Sequence, residues 1–182
     1  MNYKNTHTFK AFKKSKYLSL KYKNYFSIYD QLLNNYRNKK IIFVEVGVFS
    51  GGSLFMWRNF FGNNSRIIGV DLNPKALELK KKGFEIFIGD QQNKNFWNNF
   101  YRRIGKVDIV LDDGGHKNLQ QISTVYYSLP HVKDDGMIVI EDTMTSYLKK
   151  GFGNPSIHSF INFSYKIIDL MHARNLLLKK KR

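Results

Sequence analysis

IIFVEVGVFSGGS, residues 41–53, decides how this chain is built. Ile41 to Val46 is a short apolar run, the right length for a strand buried on both faces of a sheet, and it ends in a glycine turn. Two further stretches repeat that form. VDIVLDDGGH at 107–116 and MIVIED at 137–142 are each apolar and each close on acids or glycines. Open parallel sheets take their ligands in the crevice beyond the carboxyl ends of their strands, so three such endings in one chain predict one shared site.

The rest of the chain falls into place around these runs. A helix is predicted through Leu54 to Phe61, a second strand over Arg66 to Asp71, and a helix opening at Pro74, where proline is tolerated in a first turn. Phe84 to Ile88 reads as the third strand, Phe96 to Ile104 as a helix, Val107 to Leu111 as the fourth strand, Leu119 to Leu129 as a helix and Met137 to Ile140 as the fifth strand. Strands alternating with helices at this rhythm imply right-handed crossover units, an α/β class and a mostly parallel sheet with helices on both faces. Ahead of the first strand, Leu18, Tyr22, Tyr25, Tyr29, Leu32, Leu33 and Tyr36 recur at spacings of three and four, which predicts a lead-in helix from Tyr17 to Tyr36. Beyond the fifth strand, Ile157 to Leu178 reads as one helix or two, and no strand pattern remains.

The 182 residues suffice for a single domain, 1–182, with a sheet and two helical layers. Within it, 1–40 is a basic helical lead-in, 41–148 the core that carries the motifs, and 149–182 a basic helical segment. Cysteine is absent, so no disulfide framework or thiolate metal site can form. No apolar run approaches the ~20 residues of a membrane span, and the first twenty residues lack the apolar segment of a secretory signal, so a cytoplasmic protein is expected. The net charge of +16 is unevenly spread. Residues 1–40 contribute +9, residues 41–148 none and residues 149–182 +7, so the motif-bearing segment is balanced. Basic flanks can hold a polyanion, but the lysines form no aromatic-interleaved nucleic-acid motif, and a solvated surface is the simpler reading. A nucleic-acid partner is not expected.

The first turn runs Glu45-Val-Gly47-Val-Phe-Ser50-Gly51-Gly52-Ser53. Glycines let the backbone approach a ligand, and the following helix offers free N–H groups to a carboxylate or phosphate. The spacing is not the G-x-G-x-x-G of dinucleotide binders. An acid two residues before the first glycine suits an ammonium group better than a pyrophosphate. Asp71 ends the second strand, where a carboxylate can accept from both ribose hydroxyls, and Asp90 with Gln91 ends the third, where polar side chains can edge an adenine. Ordinary tight turns and helix caps would use the same residues.

With these motifs the chain resembles the class I S-adenosylmethionine-dependent methyltransferases, whose fold is Rossmann-like. Within them it is similar to the macrocin O-methyltransferase family, which includes mycinamicin and related sugar O-methyltransferases and cephalosporin hydroxylase-like proteins. VEVGVFSGGS, GVDLN, GDQ, LDDGGH, IVIEDT, SFINF and LMHA carry the resemblance between about Ile41 and Ala173. It implies S-adenosylmethionine held at Glu45, Gly47, Ser50, Gly51, Ser53, Asp71, Asp90, Gln91 and Asp112. It implies Mg²⁺, or another divalent cation, on Asp113, Glu141 and Asp142, with His116 as catalytic base. Gly115 stands where many relatives have serine. The fold usually finishes with an antiparallel strand hairpin for which no strand pattern remains here, so three alternatives are expected: the sheet closes with fewer strands, another chain, as in a homo-oligomer, supplies the missing edge, or this is a shortened product.

The chemistry of the residues agrees with that resemblance. Strands four and five should be neighbours, which would bring Asp113 to the Glu141-Asp142 pair. Three carboxylates without cysteine form a hard oxygen site for Mg²⁺, with Mn²⁺ or Ca²⁺ as alternatives. The same residues could instead cap turns. The reading is an O-methyltransferase for a sugar hydroxyl, its acceptor a glycan precursor, nucleotide sugar or glycosylated metabolite, as in polysaccharide biosynthesis. A catechol-like diol acceptor and a catalytically silent protein that binds a polyanion through its basic flanks are the alternatives. No two-His facial triad is evident to support a hydroxylase.

Overall fold

A computed structural model of the chain describes residues 2–149 and 156–173. Five strands form one parallel sheet: β1 Ile42–Val46, β2 Arg66–Asp71, β3 Glu85–Ile88, β4 Val107–Asp112 and β5 Val132–Ile140, in the order β3-β2-β1-β4-β5. The order reverses direction between β1 and β4, which creates a topological switch point at their carboxyl ends. β1 registers Glu45 against Leu111 and Val46 against Asp112, and β4 registers Asp112 against Ile140. The three motif-bearing strand ends are therefore adjacent.

Alternate residues of the strands feed two separate cores, as the two-residue period of a strand requires. Phe43, Ile67 and Ile109 face one layer with Trp57 and Phe61 of α3 (Gly52–Phe61) and Phe26 and Leu33 of α2 (Tyr25–Leu33). Val44, Val46, Ile68, Val70 and Val110 face the other, against Trp97, Phe100, Tyr101 and Ile104 of α4 (Lys94–Ile104). Both tryptophans are core residues, as their apolar neighbours in sequence suggest. The other described helices are α1 (His7–Lys14), α5 (Asn118–Ser128) and α6 (Phe160–His172).

Four departures from the sequence reading have physical causes. The lead-in is not one helix over 17–36. Helix α2 covers only Tyr25–Leu33, and residues 15–24 run without regular structure, with Ser19 and Lys21 partly buried and Leu18, Leu20 and Tyr22 exposed. An unexpected helix, α1, precedes them. Thr6 caps it by accepting from Phe9 N at 3.2 Å, and the carboxylate of Asp30, on α2, accepts from His7 N at 2.7 Å and Thr8 N at 2.9 Å. Free N–H groups at a helix start welcome an acid, so α2 serves as the cap of α1. Strand β5 begins at Val132 rather than Met137, the pairing passing over an irregularity between Val107 and Ile109. The Lys-Asp-Asp-Gly within it looks like a turn in sequence. The segment opened by Pro74 is a 3₁₀ helix, Pro74–Lys82, ended by Gly83 in the left-handed region. Among the described residues the sheet ends at β5. The predicted helical segment beyond Ala173 lies outside the described residues, as do residues 150–155.

Candidate active site

Gly47 is the hinge of the site. Its φ is +84°, and a Cβ there would fall on the carbonyl oxygen of Asp113 and within 2.6 Å of Gly114 Cα. Only glycine lets the β1 turn and the β4 turn approach this closely. On either side of that contact lies a cavity. One, about 340 Å³, is lined by Asp71, Asn73, Asp90, Gln91 and Gly115. The other, about 510 Å³, is lined by Lys21, Tyr25, Ser53, His116 and the three acids Asp113, Glu141 and Asp142. Gly47, Phe49, Asp113 and Gly114 border both. The structure thus brings nine of the thirteen proposed site residues to the walls of two adjoining spaces.

In the smaller cavity, Asp71 serves as a cap to the glycine turn. Its Oδ2 accepts from Val48 N at 2.9 Å and Phe49 N at 3.3 Å, while Oδ1 accepts from Asn73 N at 2.7 Å. Its carboxylate fixes the loop and still borders the cavity. Asp90 caps the next turn through Gln92 N at 2.8 Å. Gln91 ties strand ends together: its Nε2 donates to Asp112 Oδ2 at 2.9 Å and Thr124 Oγ1 at 3.0 Å, and its Oε1 accepts from Gly115 N at 3.3 Å. Ser50 is exposed and borders a third cavity beside Lys75. Gly51, at φ +83°, turns the chain into α3.

Besides Ser50, three expected ligand residues lie elsewhere than the walls of these two cavities. Glu45, on the α3 side of β1, is fully buried, and its carboxylate accepts from Ser53 Oγ at 2.7 Å and Trp57 Nε1 at 3.0 Å. Burial pushes its carboxyl up to about 7, with Lys21 and these donors pulling the other way. Asp112 is also fully buried, bonded to Gln91 and to Gly114 N at 3.0 Å; burial raises it too. Gly51 supports the turn rather than facing either space.

The larger cavity concentrates charge. Asp113 and Asp142 stand on either side of His116, whose Nε2 is 3.8 Å from Asp113 Oδ1 and 3.6 Å from Asp142 Oδ2. His116 and Asp142 both adopt left-handed backbone, at φ +56° and +52°. That conformation is strained for residues with a Cβ and recurs at functional sites. His116 Nδ1 is buried without a partner. One ligand atom from each of Asp113, His116 and Asp142 lies within 4.8 Å of the others, a spacing suited to one cation.

Sequence reasoning missed the residues that organise this cluster from the amino-terminal side. Lys21 places its Nζ 2.5 Å from Asp113 Oδ2, 2.9 and 3.0 Å from the two oxygens of Glu141, and 3.9 Å from Glu45 Oε1. Its side chain is 1 % exposed. Burial disfavours the ammonium, but Glu141, Asp113 and Glu45 outweigh it and carry Lys21 above its ordinary value. Glu141, under the opposing pressures of burial and Lys21, is raised to about 8. Tyr29 Oη donates to Glu141 Oε1 at 2.5 Å and Tyr25 Oη to Asp142 Oδ1 at 2.8 Å. The tyrosine spacing was legible as a helix face. That their hydroxyl ends would meet acids from β5 required the fold.

Comparison with known proteins follows the same lines. A family described as a methyltransferase domain matches residues 44–143. The chain is 37% identical over 134 residues to the mycinamicin VI 2''-O-methyltransferase of Micromonospora griseorubida, covering 69% of this chain and 32% of that protein. It is 35% identical over 136 residues to the demethylmacrocin O-methyltransferase of Streptomyces fradiae, covering 70% and 33%. Among solved structures, the MycE methyltransferase of the mycinamycin biosynthetic pathway, in complex with Mg, SAH and mycinamycin VI, superposes with a TM-score of 0.80 at 27% identity, over 97% of this chain and 47% of that one. The chain spans about a third of the length of the curated relatives it matches.

Proposed function

Because this chain belongs to the methyltransferase domain family through residues 44–143, we propose that it transfers a methyl group from S-adenosylmethionine to a sugar hydroxyl with the help of a divalent cation. The observation that carries the reading is the pair of cavities meeting at Gly47, one walled by hydrogen-bonding groups fit for a nucleoside, the other by acids and a histidine. The relatives support the sugar acceptor by their names, and the MycE complexes support Mg and the demethylated cofactor. The finer reading is a glycan precursor, nucleotide sugar or glycosylated metabolite as acceptor, in the cytoplasm. Among the described residues no helix is long and apolar enough to cross a membrane.

S-Adenosylmethionine, when bound, supplies the methyl as part of a cationic sulfonium. Asp71 and Asp90 would accept from its ribose and adenine edges. Ser53 and the Gly47 turn would border its amino-acid end. The carboxylates of Asp113, Glu141 and Asp142 are the hard oxygen donors that would hold Mg²⁺, which supplies positive charge beside a hydroxyl losing its proton. His116 is the base: its Nε2 faces the space between Asp113 and Asp142 and would take the hydroxyl proton as the oxygen attacks the methyl in line. The cavity walls hold the two reactants close, which is where much of the rate of such a displacement arises.

Calorimetric titration with S-adenosylmethionine, with and without Mg²⁺, tests this first. Micromolar binding that Asp71→Ala weakens at least tenfold is expected, followed by methylation of a sugar acceptor that His116→Ala abolishes while binding persists. A folded protein that binds no S-adenosylmethionine would overturn the proposal.

A further inference from the structure

Buried charge and exposed apolar surface are the informative exceptions in a folded chain, and residues 18–22 combine both. Leu18, Leu20 and Tyr22 are 59%, 76% and 55% exposed, whereas Ser19 is partly buried and the side chain of Lys21 is 1% exposed. Neighbouring residues of this segment therefore point opposite ways, and the sense is inverted, with polar groups inward and apolar groups outward. All three outward residues border the larger cavity, as does Phe49, itself 69% exposed. That cavity thus opens to solvent through an apolar rim, and a grouped apolar patch of this kind marks a surface that meets a partner.

The inversion is enforced. Lys21 Nζ holds Asp113 and Glu141 on the inner side, so the segment cannot roll its leucines inward without leaving buried acids unpaired. Upstream it is pinned by Ser15 Oγ donating to Gly52 O at 2.9 Å and by the Tyr17 ring stacked on Phe55 at 4.6 Å. Gly52 packs so closely against the chain that a Cβ there would come within 2.5 Å of Tyr17 O. Downstream, Tyr25 opens α2 and is bonded to Asp142. Cations frame the rim: Lys16 and Lys23 flank it and are exposed, Lys13 and Lys14 close α1 just before it, and residues 1–29 contain no acid.

The chemistry of the rim selects its partner. Leucines offer no flat face for a nucleic-acid base to stack on. A second copy related by a two-fold axis would bring the same lysines together across the contact. An anionic bilayer suits both halves of the pattern, since leucine and tyrosine enter the headgroup boundary while lysines lie beside lipid phosphates. We infer that residues 16–23 form a docking rim that seats the mouth of the larger cavity on an anionic bilayer, so that the cavity faces the lipid headgroups. The docking stands on these exposed residues alone, and only the use of the space behind them as an acceptor cavity rests on the methyltransferase reading above.

Flotation of the full chain with vesicles of phosphatidylcholine containing about a third phosphatidylglycerol, against vesicles of phosphatidylcholine alone, tests this. Binding about tenfold or more stronger to the anionic vesicles, and weakened by salt, is expected. Leu18→Ser with Leu20→Ser should weaken it about tenfold at an unchanged urea midpoint, and Lys16→Glu with Lys23→Glu should do the same. Arg102→Glu with Arg103→Glu makes the same change of charge on the exposed end of α4, at the opposite end of the sheet, and should alter binding less than about threefold. Equal losses from the two charge pairs, or full binding by the leucine pair, would reduce the effect to diffuse charge and overturn the inference. A parent that sediments as a dimer beside a monomeric leucine pair would assign the rim to a second copy and overturn it too. A folded chain that binds S-adenosylmethionine but no vesicles would overturn the inference and leave the methyltransferase reading standing. Rim-dependent vesicle binding by a chain that binds no S-adenosylmethionine would support the docking and overturn that reading.

Discussion

Replacing Lys21 by methionine removes the ammonium while keeping an unbranched side chain, and the structure says what that should do to stability. Breaking a buried ion pair by deleting one partner costs about 3–5 kcal/mol when the remaining charge is left uncompensated. Glu45 and Glu141 are 0% and 4% exposed, so the full range applies to them rather than the small values of surface pairs. Both carry folded-state values above their ordinary 4.5, about 7 and about 8, with burial as the main cause. A carboxyl raised in this way brings stability that is complete below its ordinary value and is lost as pH rises through the folded one. Lys21 is itself raised above its ordinary 10.5, so its contribution is intact throughout this window and limits that loss. At pH 5.5 the two glutamates already hold protons in the fold, and Lys21 mainly pairs Asp113. Its removal should then cost about 1–2 kcal/mol, the worth of a charge-assisted hydrogen bond. At pH 8.5 the same substitution should cost about 3–5 kcal/mol, which at a urea slope of about 2 kcal/mol per molar lowers the midpoint by roughly 1.5–2.5 M. Urea titrations of parent and variant at the two pH values make the measurement. A midpoint change equal at both, or smaller than about 0.5 M at pH 8.5, would refute the assignment of Lys21 as the counter-charge of this cluster.

Three further substitutions probe other parts of the argument. Gly47→Ala should destabilise the fold by about 3 kcal/mol or more and abolish S-adenosylmethionine binding, because a Cβ at φ +84° meets the Asp113 carbonyl; a variant within 1 kcal/mol of the parent in urea would deny the close approach. Asp30→Ala removes the acceptor shared by the His7 and Thr8 amides and should cost about 1–2 kcal/mol, with faster hydrogen exchange confined to α1 and cofactor affinity unchanged in calorimetry. Arg66→Ala breaks a bidentate but half-exposed pair with Glu85, at 2.5 and 2.7 Å, and should cost no more than about 1 kcal/mol, an amount that salt diminishes.

The strands were readable because each is a short apolar run flanked by glycine or acid, and a strand buried on both faces leaves that mark whatever surrounds it. That the fourth and fifth strands are neighbours was expected, and with it the meeting of Asp113 with Glu141 and Asp142; that β1 lies beside β4 was not read from the sequence. The lead-in was misread for a reason that lies in the signal itself. Leu18, Tyr22 and Tyr25 recur at helical spacing, but that pattern cannot register that Lys21 is held by Asp113 and Glu141, beyond the ends of β4 and β5, in a segment without regular structure. Helix α1 escaped notice because it is only eight residues long and, although Thr6 caps it locally, its first two amides are met by Asp30 of another helix. Glu45 and Asp112 were recognised as important acids at strand ends. Which side of the strand each faces decides whether it meets a ligand or the core, and Glu45 shares the α3 side with Trp57.

The position of Lys21 also bears on what counts as the working unit. The family match begins at residue 44, and every acid of the cluster lies after that point, whereas Lys21, Tyr25 and Tyr29 lie before it. The matched core alone would carry Glu45 and Glu141 without Lys21, and burial, which already raises both, would raise them further. Asp113 would lose the ammonium that its Oδ2 faces. The amino-terminal segment therefore completes the electrostatics of the site, although no motif marks it. It does so with one ammonium and two phenols, the phenols carried by α2, whose Tyr29 packs on Trp57 of α3. A site assembled from a sheet and a helical layer that share one core can have its acids carried by the strand ends while their charge balance is set by the helical layer. The electrostatics of the larger cavity is thus set as much by Lys21, Tyr25 and Tyr29 as by the strand ends they face.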